Sequence, residues 1–266
     1  MEELHISDQE FQLFQVLVYE AAGVVLTPIK KPMLVGRLGK RLRALHLPDF
    51  SSYYQLLKRD SVEFQTAIDL ITTHETSFFR EKSHFELLHT LILPQMTGPS
   101  MRVWSAASST GEEAYSIAMT LAETQHLKDW QVLGSDISLQ VIRSAARGLY
   151  LLDRSHGIPP PLLQRYCRKG TGRYDGHFLI DKALRARVTF VHVNLMQAIP
   201  AALGHFDIAF LRNVIIYFDP PTKTAVIDRV IQQLVPGGWL ILGHSESLLN
   251  RPAGLECVVP TVFRKK

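Results

Sequence analysis

The sequence predicts an α/β protein, with a doubly wound and mostly parallel sheet, an all-helical domain before it and a small antiparallel β-subdomain inserted into it. Three observations carry that expectation. Residues 1–75 place apolar side chains at helical spacing and contain no strand-like segment. From residue 101 onward, short apolar runs that end in small or acidic residues alternate with helical runs, the rhythm of parallel βα units. Between residues 149 and 187 the rhythm breaks in a stretch that holds Pro159-Pro160-Pro161 and Gly170-Thr171-Gly172-Arg173-Tyr174-Asp175-Gly176 before the apolar run His177-Phe178-Leu179-Ile180. The expected division is a helical domain over 1–75, a linking loop and helix over 76–100, and a sheet domain over 101–266 with its insertion at about 149–187.

The first helix is announced by Ser7-Asp8 followed by Phe11, Phe14, Leu17 and Val18, and Gly23 ends it. Pro32 opens a second, with an apolar seam of Met33, Leu34, Leu38, Leu42 and Leu45, and Pro48 stops it. Residues 50–57 and 62–71 give two more helical runs. The stretch Thr72-Thr73-His74-Glu75-Thr76-Ser77-Phe78-Phe79-Arg80-Glu81 has no periodicity and reads as a loop at a site, with its two phenylalanines packed as a plug. Residues 83–94 form a linking helix that leads to a strand at Met101.

The sheet domain is organised around Val103-Trp104-Ser105-Ala106-Ala107-Ser108-Ser109-Thr110-Gly111-Glu112-Glu113-Ala114-Tyr115-Ser116, where an apolar run breaks into small residues and then into a helix. Small residues let the backbone approach a bound molecule, Ser109 or Thr110 is placed to cap the helix, and Ala114, Ile117, Ala118 and Leu121 form its apolar face. Next comes Trp130-Gln131-Val132-Leu133-Gly134-Ser135-Asp136-Ile137, a strand closing on an acid. In doubly wound nucleotide-binding folds such an acid accepts hydrogen bonds from ribose hydroxyls, and it is also a common helix cap. Residues 189–193 resume the sheet and deliver Asn194-Leu195. Phe206-Asp207-Ile208-Ala209-Phe210-Leu211-Arg212-Asn213 is a further strand, running into Val214-Ile215-Ile216-Tyr217-Phe218-Asp219. A helix over about 222–234, the turn Pro236-Gly237-Gly238, a strand over 239–243 and a final antiparallel strand over 256–264 complete the expected order.

Composition narrows the function. With 266 residues and 46% hydrophobic side chains, the chain buries one large core and a smaller one. No apolar run approaches the ~20 residues that span a bilayer, and Met1-Glu2-Glu3-Leu4-His5 is acidic where a signal peptide would be basic, so a cytoplasmic protein without membrane insertion is expected. Cys167 and Cys257 lack metal-ligand spacing and are read as packing residues, and no metal site is expected. Net charge is 29 − 25 = +4, but it is unevenly spread. Lys30, Lys31, Arg37, Lys40, Arg41 and Arg43 fall in a segment, residues 21–48, that contains no acid. That run is either a solvated helix face or a docking surface; having no aromatic side chain to stack bases, it suits an acidic protein partner better than nucleic acid.

The order of these elements is that of a class I S-adenosylmethionine-dependent methyltransferase, a Rossmann-like fold. Within that class, the chain resembles the CheR chemotaxis receptor methyltransferases over nearly its whole length, from the N-terminal helices to Gly243-His244-Ser245-Glu246-Ser247, most specifically in residues 72–81, residues 104–116 and Arg212-Asn213-Val214-Ile215-Ile216-Tyr217-Phe218. The resemblance implies S-adenosyl-L-methionine as cofactor, S-adenosyl-L-homocysteine as product, and glutamate side chains on the cytoplasmic domain of chemoreceptors as substrate. By the same resemblance, His74, Thr76, Arg80, Glu113, Asp136, Asn194, Leu195, Arg212 and Asn213 bind the cofactor, and Arg80 and Tyr217 serve catalysis. The family pattern has Asn where His74 stands. Arg37, Lys40 and Arg41 would face the acidic methylation region, while Gly170, Gly172 and Arg173 resemble a loop with which some members grip a receptor's C-terminal peptide. A monomer is expected.

The chemistry agrees with the residues. A glutamate carboxylate, with a reference pKa of about 4.3, is already ionised at neutral pH. The protein therefore needs to dehydrate and aim it rather than deprotonate it, and no His/Asp or Cys/His catalytic arrangement stands out. Two other readings are a class I methyltransferase for small molecules or RNA, which the acid-free basic helix argues against, and a cofactor-binding regulator without transfer activity, which retention of Arg80, Glu113, Asp136 and Tyr217 argues against.

Overall fold

A computed structural model describes residues 4–98, 100–246, 248, 252 and 254–266 of the chain. Of the sequence features named above, Met1 to Glu3 and Ser247 lie outside the described residues.

Four helices build the N-terminal domain: α1 (Asp8–Ala22), α2 (Lys31–Ala44), α3 (Phe50–Arg59) and α4 (Ser61–Ile71). Ser7 caps α1 through a full capping box with Glu10, and Gly23 ends it in the left-handed conformation. The helices close on Phe14, Leu34, Leu38, Leu42, Phe50 and Tyr53, all fully buried. Met33 and Leu45, the ends of the expected seam on α2, are only partly buried. After the loop 72–81, α5 (Lys82–Leu87) continues into a π-turn (Leu88–Ile92) and a 3-10 turn (Leu93–Gln95). Phe78 and Phe79 are buried, as a plug requires.

The sheet domain begins with β1 (Met101–Ser105), α6 (Glu112–Ala122), β2 (Trp130–Asp136) and α7 (Leu139–Arg147). The inserted subdomain comprises β3 (Leu149–Leu151), α8 (Pro160–Tyr166), β4 (Cys167–Lys169) and β5 (His177–Ile180), its strands forming an antiparallel sheet in the order β3-β5-β4. Then follow α9 (Lys182–Arg185), β6 (Val188–His192), β7 (Phe206–Leu211), α10 (Pro220–Gln232), β8 (Leu234–Leu242), β9 (Leu255–Val259) and β10 (Val262–Lys265). The main sheet runs β6-β2-β1-β7-β8-β10-β9. Its first five strands pair in parallel, whereas β10 is antiparallel to β8 and β9. One layer packs Ile117, Leu121 and Phe210 with the subdomain's Phe178, and the opposite face packs Trp104, Phe206 and Val226.

Four local expectations need correction. The tail makes two strands instead of one, because Thr261 takes a left-handed φ of 67° after Pro260 and folds the alternating run into a hairpin. Helix α10 starts at Pro220, since prolines at the first two helical positions lose no hydrogen bond and Asp219 caps them. The expected turn at 236–238 lies within β8, where the pairing with β7 shifts register. Of the two cysteines only Cys167 packs, with burial pushing its thiol up to about 12, whereas Cys257 is exposed on β9.

Candidate active site

Going outward from β1, the chain runs one way through β2 and the other through β7, and a crevice opens at the carboxyl ends of strands at such a reversal. Here it is a cavity of about 260 Å³. The loop after β1 is shaped by Ser109 and Gly111, at φ of 48° and 96°. A Cβ on Gly111 would lie 2.8 Å from Ala145, so the start of α6 requires glycine. Gly111 itself occupies the cap position with no side-chain cap, contrary to the expectation for Ser109 or Thr110. Ser109 does something else: its N–H donates to Asp136 Oδ2 at 2.9 Å and its hydroxyl to the His74 carbonyl at 3.1 Å. It thus ties the β1 loop both to the tip of β2 and to the 72–81 segment.

Asp136 does not cap α7. Ser138 does, accepting from the Val141 N–H, while the other Asp136 oxygen accepts from the Ser138 N–H at 3.0 Å. Burial pushes the Asp136 carboxyl pKa up, against the pull of those backbone donors.

The floor is a charged network at the end of β7. Arg212, with 1% of its side chain exposed, donates to Glu113 Oε2 and Glu81 Oε2, each at 2.9 Å, and to the Arg80 carbonyl at 2.6 Å. Its Nε is buried without a partner among the described residues. Ser105 donates to the other Glu113 oxygen at 2.7 Å, and the Asn213 amide to Glu81 Oε1 at 3.0 Å. Burial alone would raise the Glu81 pKa, but hydrogen bonds from Asn213 and Arg212 and the Arg212 charge hold it at about 2. Beneath, Glu246 accepts from the N–H groups of Asn213, Val214, Ile215 and Gly243, pinning the end of β7 to the end of β8. Phe79, Glu81, Ser109 and Asn213 all have positive φ, a cost of roughly 1–3 kcal/mol each for such residues, and all lie in these connections. The network supplies the over-determination that such strain needs.

The helical domain closes the cavity from above. Ala22, Val24, Leu26, Lys30 and Met33 share its lining with Asp136 and Arg212. Asn194 donates to the Ala21 carbonyl at 2.7 Å, the Val25 N–H donates to the Tyr217 carbonyl at 3.0 Å, and Tyr19 donates to Asp219 at 2.9 Å. Gly23 faces Met196 and Thr222 across this seam with a left-handed φ of 70°, a conformation that favours glycine. Lys30 Nζ lies 5.5 Å above the Tyr217 ring.

All nine residues expected at the cofactor, together with Tyr217, line this one cavity. Arg80 is held by the Glu75 carbonyl at 2.9 Å. The His74 ring turns to Thr72 Oγ1 and the Asp69 carbonyl, and the Asn194 amide is engaged by Ala21 and Met196. The basic residues of α2 divide into two kinds. Arg37 donates to the carbonyls of Ile71 and Thr72, and Arg41 pairs with the buried Glu63, which Tyr53 also holds. Lys40 and Arg43 are exposed and find no ion-pair partner among the described residues. Gly170, Gly172 and Arg173 lie at the subdomain tip, away from the cavity.

Sequence reasoning assigned no role to Glu81, Glu246 or Ser105, and it read Lys30 as part of the basic docking run, whereas Lys30 lines the cavity. Glu81 and Glu246 stood inside quoted motifs, but their partners lie 131 and 31 to 33 residues away in sequence, and no local spacing reports such contacts.

The cavity suits an adenosyl sulfonium amino acid: acids at Glu75, Glu113 and Asp136 to accept from its amino group and hydroxyls, the guanidinium groups of Arg80 and Arg212 for a carboxylate, and Ile137, Val193 and Leu195 as an apolar wall. Residues 9–72 match the all-alpha domain of CheR methyltransferases and residues 74–263 match their SAM binding domain. The chemotaxis protein methyltransferase of Salmonella typhimurium is 41% identical over 251 residues, covering 93% of this chain and 86% of that protein. That of Escherichia coli is 42% identical over 250 residues, covering 92% and 87%. Chemotaxis protein methyltransferase 2 of Pseudomonas aeruginosa is 38% identical over 265 residues, covering 98% and 95%. With both domains matched in order and the cavity lying where they meet, the chain belongs to the CheR family of S-adenosylmethionine-dependent methyltransferases.

Proposed function

We propose that the chain methylates glutamate side chains on the cytoplasmic domain of chemoreceptors, giving glutamyl methyl esters and S-adenosylhomocysteine. The observation that carries this reading is the shared cavity: the helical domain with its basic helix and the strand ends with their acids line one site. Bound S-adenosylmethionine supplies an electrophilic methyl on a sulfonium. These residues all line the cavity; in this reading Asp136 takes the ribose hydroxyls, Asn194 and Leu195 the adenine, Glu113 the amino group, and Arg80 and Arg212 the carboxylate, with His74 and Thr76 closing the wall. Arg80 and Tyr217 would then aim an incoming glutamate, with Val214 and Phe218 as apolar neighbours in the lining. The substrate is already an anion, so these residues orient it and take no proton. In this reading the enzyme is a cytoplasmic monomer. Incubation with methyl-labelled cofactor and receptor-containing membranes tests it: base-labile label in the receptor is expected, and its absence from a cofactor-binding preparation overturns the assignment.

The receptor's C-terminal peptide is a second contact that we assign to the subdomain. Strand β4 forms one edge of the small sheet, and next to it Gly170 has no room for a Cβ, which would meet the Tyr174 carbonyl at 2.0 Å. Gly172 and Gly176 take positive φ and shape the tip, where Lys169 and Arg173 are exposed. A peptide adding to this edge would gain backbone hydrogen bonds, and the two cations suit its carboxylates. Such a tether raises the local concentration of enzyme without altering the active site. The peptide should bind with cofactor absent, and deletion of residues 171–173 should abolish that binding while cofactor still binds; a deletion variant that keeps the peptide removes the tether.

A further inference from the structure

On the outer flank of the Arg212 network, the start of α5 and the turn after β8 bring together Glu81, His84 and His244. One ligand-type atom from each lies within 4.8 Å of the others. His84 is the informative member. Its side chain is 1% exposed, and its Nε2 lies 2.8 Å from Thr261 Oγ1. That hydroxyl spends its own proton on the Pro260 carbonyl at 2.6 Å, so it accepts from His84, which fixes the imidazole proton on Nε2. The Nδ1 lone pair is then bare and buried, without a hydrogen-bond partner among the described residues, and 3.3 Å from Glu81 Oε2. That oxygen accepts from Arg212 Nη2 at 2.9 Å and from the His244 N–H at 3.1 Å, so the unmet need is at His84 Nδ1, and a cation shared with the carboxylate would meet it.

The spacing fits a metal ion. Tetrahedral zinc, with bonds of about 2.0–2.1 Å, sets its ligand atoms roughly 3.3 Å apart, and the His84 to Glu81 separation is 3.3 Å. His244 is exposed, its ring centroid 4.5 Å from that of His84, and among the described residues only Ser83 Oγ meets its Nε2, at 3.1 Å. A side-chain rotation brings it to the same point. We propose that Glu81, His84 and His244 form a binding site for a zinc-class divalent cation, with a fourth position open to solvent. Imidazole and carboxylate donors select such a cation over magnesium or calcium, which prefer an all-oxygen shell. Glu81 Oε2 also accepts from Arg212, so an occupant would act on the network beneath the cofactor cavity.

The site is independent of the methyl acceptor, and so is its test. The untagged full chain, stripped with chelator, is titrated with zinc against a chromophoric indicator and separately with cobalt(II), whose visible absorption reports tetrahedral coordination. One zinc per chain at micromolar concentration or tighter is expected. His244→Ala, a surface change, should weaken binding by about a hundredfold, consistent with the large losses seen when metal-site groups are removed, and His84→Gln should do the same. S-adenosylhomocysteine binding by calorimetry shows that each variant is folded. Absence of zinc binding, or equal affinity in parent and His244→Ala, overturns the proposal and reassigns any bound zinc to other surface histidines.

Discussion

The strand ends under the cofactor cavity and the outer face of α2 are both charged, but their charges are used differently. Arg212, Glu81, Glu113 and Glu246 are buried or nearly so, and each is held by named partners within the chain, with the Arg212 Nε alone of that guanidinium left over among the described residues. Lys40 and Arg43 point to water with no internal partner among the described residues. The first arrangement is preorganised: its geometry is set before any ligand arrives. The second leaves charge uncommitted, which suits steering of a partner and contributes little to stability. Helix α2 contains both kinds within one turn, since Arg41 belongs to the interior and Lys40 does not.

The largest effect should come from breaking the preorganised side. Arg212→Met leaves two carboxylates unpaired in a buried site, and a loss of about 3–5 kcal/mol is expected in chemical denaturation. A stability within 1 kcal/mol of the parent would show that water already screens the network.

Acid should act on the same place. The folded Glu81 pKa, about 2, lies below its ordinary value of 4.5, so the carboxylate favours folding above pH 4.5 and that contribution is lost as pH falls through 2. The shift corresponds to roughly 3 kcal/mol at neutral pH. Glu81→Gln should therefore be less stable at pH 7 and should lose less on acidification. His84, lowered to about 4 from 6.5, adds an earlier window: its contribution is full above pH 6.5 and lost as pH falls through 4. Denaturation midpoints measured from pH 7.5 to 2.5 check both.

Arg41→Glu against the double change Lys40→Glu, Arg43→Glu sharpens the contrast within α2. The first sets a carboxylate against Glu63, and because Arg41 is 35% exposed a loss of about 2 kcal/mol is expected instead of the full buried-pair penalty. The double change should leave stability within about 0.5 kcal/mol and cofactor affinity unaltered, while lowering receptor methylation, an effect that raised salt mimics in the parent. Equal methylation by the double variant would make this face merely solvated.

Asp136→Ala should weaken S-adenosylmethionine and S-adenosylhomocysteine alike by roughly 1.5–3 kcal/mol, the worth of charged hydrogen bonds. Undiminished affinity in a folded variant would limit Asp136 to holding Ser109 in place.

Much of this was legible from residues alone, and the limit has a physical form. Helices and strands follow from periodicity and caps, so Ser7, Gly23 and the alternating βα runs foretold their elements. The acids and bases that line the cavity could be named because each lies in a quoted motif: Asp136 and Arg212 at strand ends, Glu113 in the first turn of α6, and His74 and Arg80 in the 72–81 loop. The roles within that set were not legible. Arg41 and Lys40 look alike in sequence, and only packing against α4 tells the buried ion pair from the free cation. Glu81 and Glu246 work through partners far along the chain, and Gly111, not Ser109 or Thr110, begins α6 because Ala145 crowds the position.

The seam between α1 and the sheet domain sets a timetable for synthesis. Ala21 is met by Asn194 from 173 residues downstream, and Tyr19 by Asp219 from 200 downstream. The helical domain ends at Ile71, and at about 5–20 residues per second on the ribosome, roughly 6–30 s separate its appearance from that of the surface it docks against. Its own core can form early, around Phe14, Leu34 and Phe50. The edge at Val24 cannot be covered until the segment carrying Met196 and Tyr217 has emerged. The nascent helical domain is therefore a folded body with one apolar edge in waiting, and that interval is when a chaperone would find something to hold.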